Sequence, residues 1–133
     1  MGLLFEQETH KIIGASMQVH RKLGCGFLES VYQEALEIEF QKQQIPYILH
    51  QKLQILFDGK PLTKFFVADF VCYNSIILEI KAAVFLHPDN SKQVINYLKS
   101  TNFAVGLLVN FGESSLKWKR FINTNPCNPH QSV

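Results

Sequence analysis

Residues 67–83, VADFVCYNSIILEIKAA, constrain the fold of this chain more than any other segment. They contain two apolar runs of strand length separated by an Asn-Ser pair, a pattern typical of two buried strands joined by a turn. Three charged residues interrupt these runs, namely Asp69, Glu79 and Lys81. Because an unpaired charge is costly to bury, each of the three side chains needs a partner or a function.

The spacing of the charges indicates which function to consider. Glu79 and Lys81 stand two residues apart, so on a strand they face the same side. For an isolated ExK pattern a salt bridge or a solvated edge strand is the better explanation, because motifs this short recur by chance. Asp69, however, lies among apolar residues on the preceding strand, and two buried carboxylates on neighbouring strands repel each other unless a cation lies between them. These residues therefore predict a metal site.

The length of the turn decides whether the two carboxylates can meet. A two-residue loop would put Asp69 and Glu79 on opposite faces of the sheet, whereas residues directly opposed in an antiparallel pair face the same side. We therefore predict a connection of odd length. The simplest is a three-residue loop over residues 73–75 that closes Cys72 against Ile76, and a bulge of the same parity is the alternative.

The whole chain predicts one α/β domain with the element order α-α-β-β-β-α-β and no repeat or linker. The predicted helices cover residues 6–23, about 28–44 and 88–100, and the predicted strands cover residues 47–57, 65–73, 76–81 and 103–110. The first three strands should form an antiparallel meander. The fourth is a continuous apolar run, which predicts a strand covered on both faces and reached through the third helix. Asp89, Asn90 or Ser91 is its expected N-cap, and residues 124–133 are expected to form a loose tail.

Composition excludes several classes of protein. The chain has 133 residues, of which 47% are apolar and 18% charged, so it can bury a core and does not resemble a disordered segment. A formal charge of +2 leaves a nucleic-acid partner open, because such partners are indicated by clustered Lys and Arg. The three cysteines form no CxxC pair, which favours a reducing, cytoplasmic setting. No apolar stretch is long enough for a membrane span.

Three further polar residues stand where they could reach the same site. Glu29 is in line with Tyr32 and Leu36 on the second helix, which predicts a position at its inward edge. A first-turn glutamate that complements the helix dipole explains Glu29 equally well. Gln93 and Tyr97 lie one helical turn apart on the third helix and can both point toward the sheet, although an ordinary amphipathic rim has the same pattern.

Taken in order, the segments GFLESVYQEAL, VADFV, LEIKA and QVINY resemble one family. Gly26, Glu29 and Tyr32 reproduce the GxxExxY pattern of a group of small bacterial proteins in the PD-(D/E)XK nuclease superfamily. The resemblance covers about residues 11–122. It implies an α/β fold with a restriction-endonuclease-like core, in which a mixed central sheet is flanked by helices. It also implies a metal-dependent nuclease, with DNA as the expected substrate.

The resemblance assigns a role to each candidate residue. Asp69, Glu79, the backbone carbonyl of Ile80 and Glu29 would hold Mg²⁺ or Mn²⁺. Lys81 would position the attacking water or neutralise the charge that develops on phosphorus.

The QxxxY pattern of the exonuclease-like and RecB-like branches is matched by Gln93 and Tyr97. In this comparison Gln93 would orient the nucleophile or a phosphate, and Tyr97 would pack and donate one hydrogen bond. The chain departs from the family at Val67, where a basic residue is common, and this weakens the expected grip on phosphate. Basic residues on the third helix and around Trp118 are candidate phosphate contacts, with a solvated surface as the simpler explanation for any one of them.

Two other classes of function stay open. A nuclease-fold module could bind nucleic acid or a protein partner with little or no catalysis. An assembly protein, as a homodimer or within a larger repair or defence complex, would instead use the many phenylalanines on its surface.

Overall fold

The computed structural model describes residues 3–123, which form three helices and five strands. The elements are α1 (Glu6–Leu23), α2 (Glu29–Lys42), β1 (Tyr47–Phe57), β2 (Lys60–Cys72), β3 (Ile76–Lys81), α3 (Pro88–Ser100), β4 (Val105–Asn110) and β5 (Lys117–Ile122). The predicted loose tail, residues 124–133, lies outside the described residues. Within the described part of the chain, none of the helices is long and apolar enough to cross a membrane.

The five strands form one mixed sheet in the order β1-β2-β3-β4-β5. The pairs β1/β2, β2/β3 and β4/β5 are antiparallel, and β3/β4 is parallel, with α3 as the crossover. This confirms the predicted α/β class, the meander and the buried fourth strand, whose residues are all buried. The added strand β5 extends the predicted order to α-α-β-β-β-α-β-β.

Helices cover both faces of the sheet. One face packs against α1 and α2 through a cluster that includes Ile12, Leu36, Phe40, Phe70 and Leu78. The other face packs against α3, with Ile77 and Leu98 in a second, smaller cluster. Because residues alternate along a strand, Glu79 and Lys81 share with Ile77 the face that α3 covers.

The turn between β2 and β3 has the predicted odd length. Cys72 pairs with Ile76, so residues 73–75 form the loop, and Tyr73 and Asn74 both have a φ of 55°. The same register continues through Phe70 opposite Leu78. Continued by one pair, it places Asp69 opposite Glu79, as the shared site requires.

Two predictions about element ends are wrong. Strand β2 begins at Lys60, five residues before the predicted start at Phe65, because the tight turn at Asp58 and Gly59 lets pairing begin at once. The N-cap of α3 is His87, whose ring Nδ1 accepts a hydrogen bond of 3.0 Å from the Asp89 amide. With Pro88 as the first helical residue, the capping position falls before any of the predicted caps.

Candidate active site

Asp69 and Glu79 bind each other's strands at the point where β2 and β3 separate. The Asp69 amide donates a hydrogen bond of 2.8 Å to Oε2 of Glu79. The Ile80 amide donates one of 2.9 Å to Oδ2 of Asp69. These side-chain oxygens accept from amides just beyond the last strand pair, Phe70 with Leu78. The two carboxyl groups are thereby fixed between the same two strands.

Burial makes this pair of carboxyl groups hard to ionise. Burial, reinforced by the charge of Asp69, raises the pKa of Glu79 from 4.5 to about 7. Burial also raises the pKa of Asp69, against the opposing effects of the Ile80 amide and Lys81. Metal-free, the site therefore holds a proton near neutral pH that a cation would displace.

Lys81 lies among three carboxyl groups. Its positive charge acts against the pKa increases of Glu29, Asp69 and Glu79. Its backbone carbonyl accepts a hydrogen bond of 2.8 Å from the Phe111 amide, which fixes the end of β3. The structure thus brings the ExK pair and the preceding aspartate together as the sequence spacing suggested.

Glu29 reaches the site from the first residue of α2. Burial, opposed by Lys81 and supported by Asp69, raises its pKa, so its carboxyl group lies within electrostatic range of both side chains. The residue is nevertheless exposed, whereas Tyr32 and Leu36 are fully buried. Glu29 is therefore more exposed to solvent than the spacing predicts for a residue at the inward edge of α2. The reason is that Glu29 is the first residue of the helix, where the chain enters from solvent.

The other two residues of the GxxExxY pattern shape the entry to α2. Gly26 has a φ of 110°, a conformation that residues with a side chain rarely adopt. The hydroxyl of Tyr32 donates a hydrogen bond of 2.6 Å to the Gly24 carbonyl and accepts one of 3.2 Å from the Phe27 amide. The ring of Tyr32 stacks on Phe111 at 4.7 Å between centroids. Since Phe111 also holds the Lys81 carbonyl, Tyr32 links the start of α2 to the end of β3.

The structure brings one of the two α3 candidates to the site. Burial, followed by the charges of Glu79 and Asp69, raises the pKa of Tyr97, so its hydroxyl lies within their electrostatic range. Its ring stacks on Phe66 with centroids 3.5 Å apart, which agrees with a packing role. Gln93 lies one turn earlier and is exposed, and the hydrogen bonds of the two carboxylates within residues 3–123 do not include it.

Sequence reasoning missed His50. The β1/β2 register places His50 opposite Asp69, between the pairs Leu49 with Phe70 and Gln51 with Ala68. Its charge acts to lower the pKa of Asp69. From the tight turn alone, His50 would be expected opposite Val67.

A register shift explains the difference. After Leu56 pairs with Pro61, the next pair is Gln54 with Phe65, so β2 carries two extra residues at this point. No sequence signal marks this bulge. The resulting position brings Nε2 of His50 to 3.1 Å from Oε1 of Gln33, which lies one helical turn after Glu29 on α2.

The donor set fits a hard divalent cation. Within residues 3–123, the hydrogen bonds of the two carboxylates use Oδ2 of Asp69 and Oε2 of Glu79, so each has a second oxygen for a ligand. No group of three or more His, Cys, Asp or Glu side chains in this range is arranged to hold a metal. Two carboxylates suit Mg²⁺, which commonly binds through one or two of them and completes its shell with waters and substrate phosphates.

The site thus combines a mixed sheet covered by helices on both faces with Asp, Glu and Lys side chains where the pairing of β2 with β3 ends, which agrees with a nuclease-like domain. A model of the PD-(D/E)XK nuclease superfamily matches residues 6–121, and the chain belongs to this superfamily. Neither the curated proteins nor the solved structures contain a significant match to the chain.

Proposed function

We propose that this chain is a metal-dependent nuclease of the GxxExxY group, and that it hydrolyses phosphodiester bonds of DNA. The observation that supports this most strongly is the opposition of Asp69 and Glu79 across the separating ends of β2 and β3, with Lys81 beside them. The burial of the two carboxyl groups is costly to the fold, and binding of a divalent cation would offset that cost.

The proposed ligands for Mg²⁺ or Mn²⁺ are Asp69, Glu79 and the Ile80 carbonyl, with Glu29 as a further ligand that would have to move toward the other two carboxylates. When bound, such an ion polarises a phosphodiester oxygen and lowers the pKa of a coordinated water. Asp69 and Glu79 must be ionised to hold it, so the raised pKa of Glu79 makes metal affinity increase with pH through about 7. The Ile80 amide keeps the Asp69 carboxylate oriented toward Glu79.

The remaining site residues act on water and on phosphate in this proposal. Lys81 orients the attacking water and neutralises the negative charge that develops on the phosphoryl oxygens, which suits a compact ammonium group. Gln93 orients a substrate phosphate or the water from the exposed side of α3. Tyr97 holds α3 against the sheet by stacking on Phe66 and donates one hydrogen bond.

The test is a cleavage assay with labelled single- and double-stranded DNA and RNA in Mg²⁺, Mn²⁺ or EDTA. Lys81→Met keeps the apolar stem of the side chain and removes its charge. We expect it to lower the metal-dependent rate by roughly 100-fold or more. The matched control is Lys60→Met, at the distant β1–β2 hairpin, which should leave the rate unchanged.

Two outcomes would contradict the proposal. Full EDTA-sensitive cleavage by Lys81→Met, with an unchanged circular dichroism spectrum, would remove the role given to Lys81. Binding of nucleic acid by the wild-type protein without cleavage in either metal would instead support a nuclease-fold module that only binds. Preference for RNA would correct the assigned substrate without affecting the mechanism.

A further inference from the structure

The loop between β3 and α3 exposes two neighbouring apolar side chains beside the candidate active site. Val84 is 84% exposed and Phe85 is 70% exposed, although β3 and β4 next to them are almost entirely buried. Single exposed apolar residues are common on protein surfaces, but an adjacent exposed pair beside a candidate active site is a candidate binding surface.

The loop is anchored at Ala83, the residue immediately before this exposed pair. Asn110, the last residue of β4, accepts a hydrogen bond of 2.9 Å from the Ala83 amide through Oδ1. Its Nδ2 donates another of 2.9 Å to the Ala83 carbonyl. Gly112 packs so closely that an added Cβ would lie 2.2 Å from the Ala83 oxygen. The chain therefore leaves the sheet at a defined point, and Val84 and Phe85 follow directly after it.

The length of the connecting chain sets an upper limit on the distance between Phe85 and Lys81. Lys81 pairs directly with Asn110, which holds Ala83 two residues further on. A chain advances at most about 3.6 Å per residue, so the Cα of Phe85 lies within roughly 14 Å of the Cα of Lys81. A phenylalanine at this distance can contact a nucleotide next to one whose phosphate lies at the carboxylates.

Two lysines on β5 extend the same face of the sheet. Lys117 pairs with Asn110, which pairs with Lys81, so these three residues form one row across β5, β4 and β3. Lys119 lies in the row of Glu79 in the same way, through Leu108, and both lysines are exposed. Strands are spaced by about 4.8 Å, so the Cα atoms of Lys117 and Lys81 are roughly 10 Å apart, on either side of the buried Asn110. Lys117 is therefore a candidate contact for a phosphate that neighbours the one at Lys81.

We propose that Phe85, supported by Val84, stacks against an unpaired base of the nucleic-acid strand whose phosphate occupies the site of Asp69, Glu79 and Lys81. Stacking on an aromatic ring needs an open base face and tolerates any base. In a duplex the base faces are already covered by their neighbours. This inference rests on the proposed function and narrows its substrate to single-stranded nucleic acid or to unpaired regions and ends.

The test measures binding without cleavage. Wild-type protein is titrated, with Ca²⁺ in place of Mg²⁺ so that the site holds a cation, into a single-stranded oligonucleotide that contains 2-aminopurine, whose fluorescence reports stacking, and the matched duplex is titrated in parallel. Phe85→Ala should weaken single-strand binding roughly 5- to 100-fold and abolish the fluorescence change, whereas Phe85→Trp should retain both. The control is Phe57→Ala, because Phe57 is 66% exposed on the distant hairpin and should have no effect.

Each other outcome overturns the inference. The inference is wrong if Phe85→Ala binds the single strand as tightly as wild type does, or if Phe57→Ala loses as much affinity as Phe85→Ala. It is also wrong if the wild-type protein binds the duplex more tightly than the single strand, or binds neither. A dimer that dissociates in Phe85→Ala, seen by sedimentation, would show that the pair contacts a second copy instead. Because no cleavage is measured, failure of the nuclease mechanism and failure of this inference are separate results.

Discussion

Glu79 accepts a hydrogen bond from the Asp69 amide while burial and the charge of Asp69 raise its pKa to about 7. A carboxyl group with a higher pKa in the folded than in the unfolded state binds more protons when folded. Its contribution to stability is fully present below pH 4.5 and is lost as the pH rises through about 7. The free energy of unfolding of the metal-free protein should therefore fall over this range.

Replacing Glu79 by glutamine should remove most of that pH dependence. The side-chain amide in Glu79→Gln is neutral and can still accept the hydrogen bond from Asp69, so at pH 8 the variant should be more stable than wild type by up to roughly 3 kcal/mol. At pH 4.5 the gain should be much smaller, and the raised pKa of Asp69 should leave a weaker slope in the variant. Urea denaturation in EDTA at both pH values measures this. If Glu79→Gln is less stable than wild type at pH 8, the ionised carboxylate of Glu79 does not destabilise the fold.

At the scale of elements, the entry to α2 depends on Tyr32. Loss of its hydroxyl in Tyr32→Phe would leave the Gly24 carbonyl and the Phe27 amide without their partner, at a cost of about 1 to 2 kcal/mol. The start of α2, and Glu29 with it, would then be held less firmly. We expect the metal-dependent cleavage rate to fall several-fold while the thermal midpoint falls by only a few degrees.

The control for this prediction is Tyr47→Phe. The hydroxyl of Tyr47 also has two side-chain partners, Gln41 and Glu37, but its ring packs against Phe40 and Phe70 on the face of the sheet opposite to Glu79 and Lys81. Its removal should affect stability and leave cleavage unchanged. If Tyr47→Phe lowers the cleavage rate as much as Tyr32→Phe does for the same loss of stability, then Tyr32 does not position the site.

The helices and strands that are marked by nearby residues in the sequence could be predicted, and those that depend on distant parts of the chain could not. The bounds of α1, β1 and β3 follow from hydrophobic periodicity and from turn residues. The β2–β3 register follows from the requirement that Asp69 and Glu79 lie on the same face of the sheet. Strand β5 was missed, because the first three residues of KWKR are all exposed and the segment resembles a solvated one. It is a strand because β4 offers it an unpaired edge, which is a property of the assembled sheet.

The site residues likewise divide into those with a local sequence signal and those placed only by the assembled fold. Asp69, Glu79 and Lys81 were predictable because charge in an apolar strand is costly and must be explained. His50 was not predictable, because the two extra residues of β2 that bring it opposite Asp69 have no local signal. The anchoring of Ala83 by Asn110 joins residues 27 positions apart, and only the parallel pairing of β3 and β4 brings them together.

At the scale of the whole molecule, the site draws on most of the described fold. It combines Glu29 from α2, Asp69 from β2, Glu79 and Lys81 from β3, and Tyr97 from α3. A ligand that binds only this assembly stabilises the folded state by mass action. Bound Mn²⁺ should therefore raise the thermal midpoint, and it should do so more at pH 8 than at pH 6, where Glu79 is largely protonated.

Calorimetric titration with Mn²⁺ at pH 8 tests most directly whether Asp69 and Glu79 share one divalent cation. Wild type and the exposed-surface control Glu34→Gln should bind one ion with equal affinity. Asp69→Asn and Glu79→Gln should each bind it at least about tenfold more weakly. Unchanged Mn²⁺ affinity in both of these variants, with the fold intact, would contradict the shared site and the nuclease mechanism built on it.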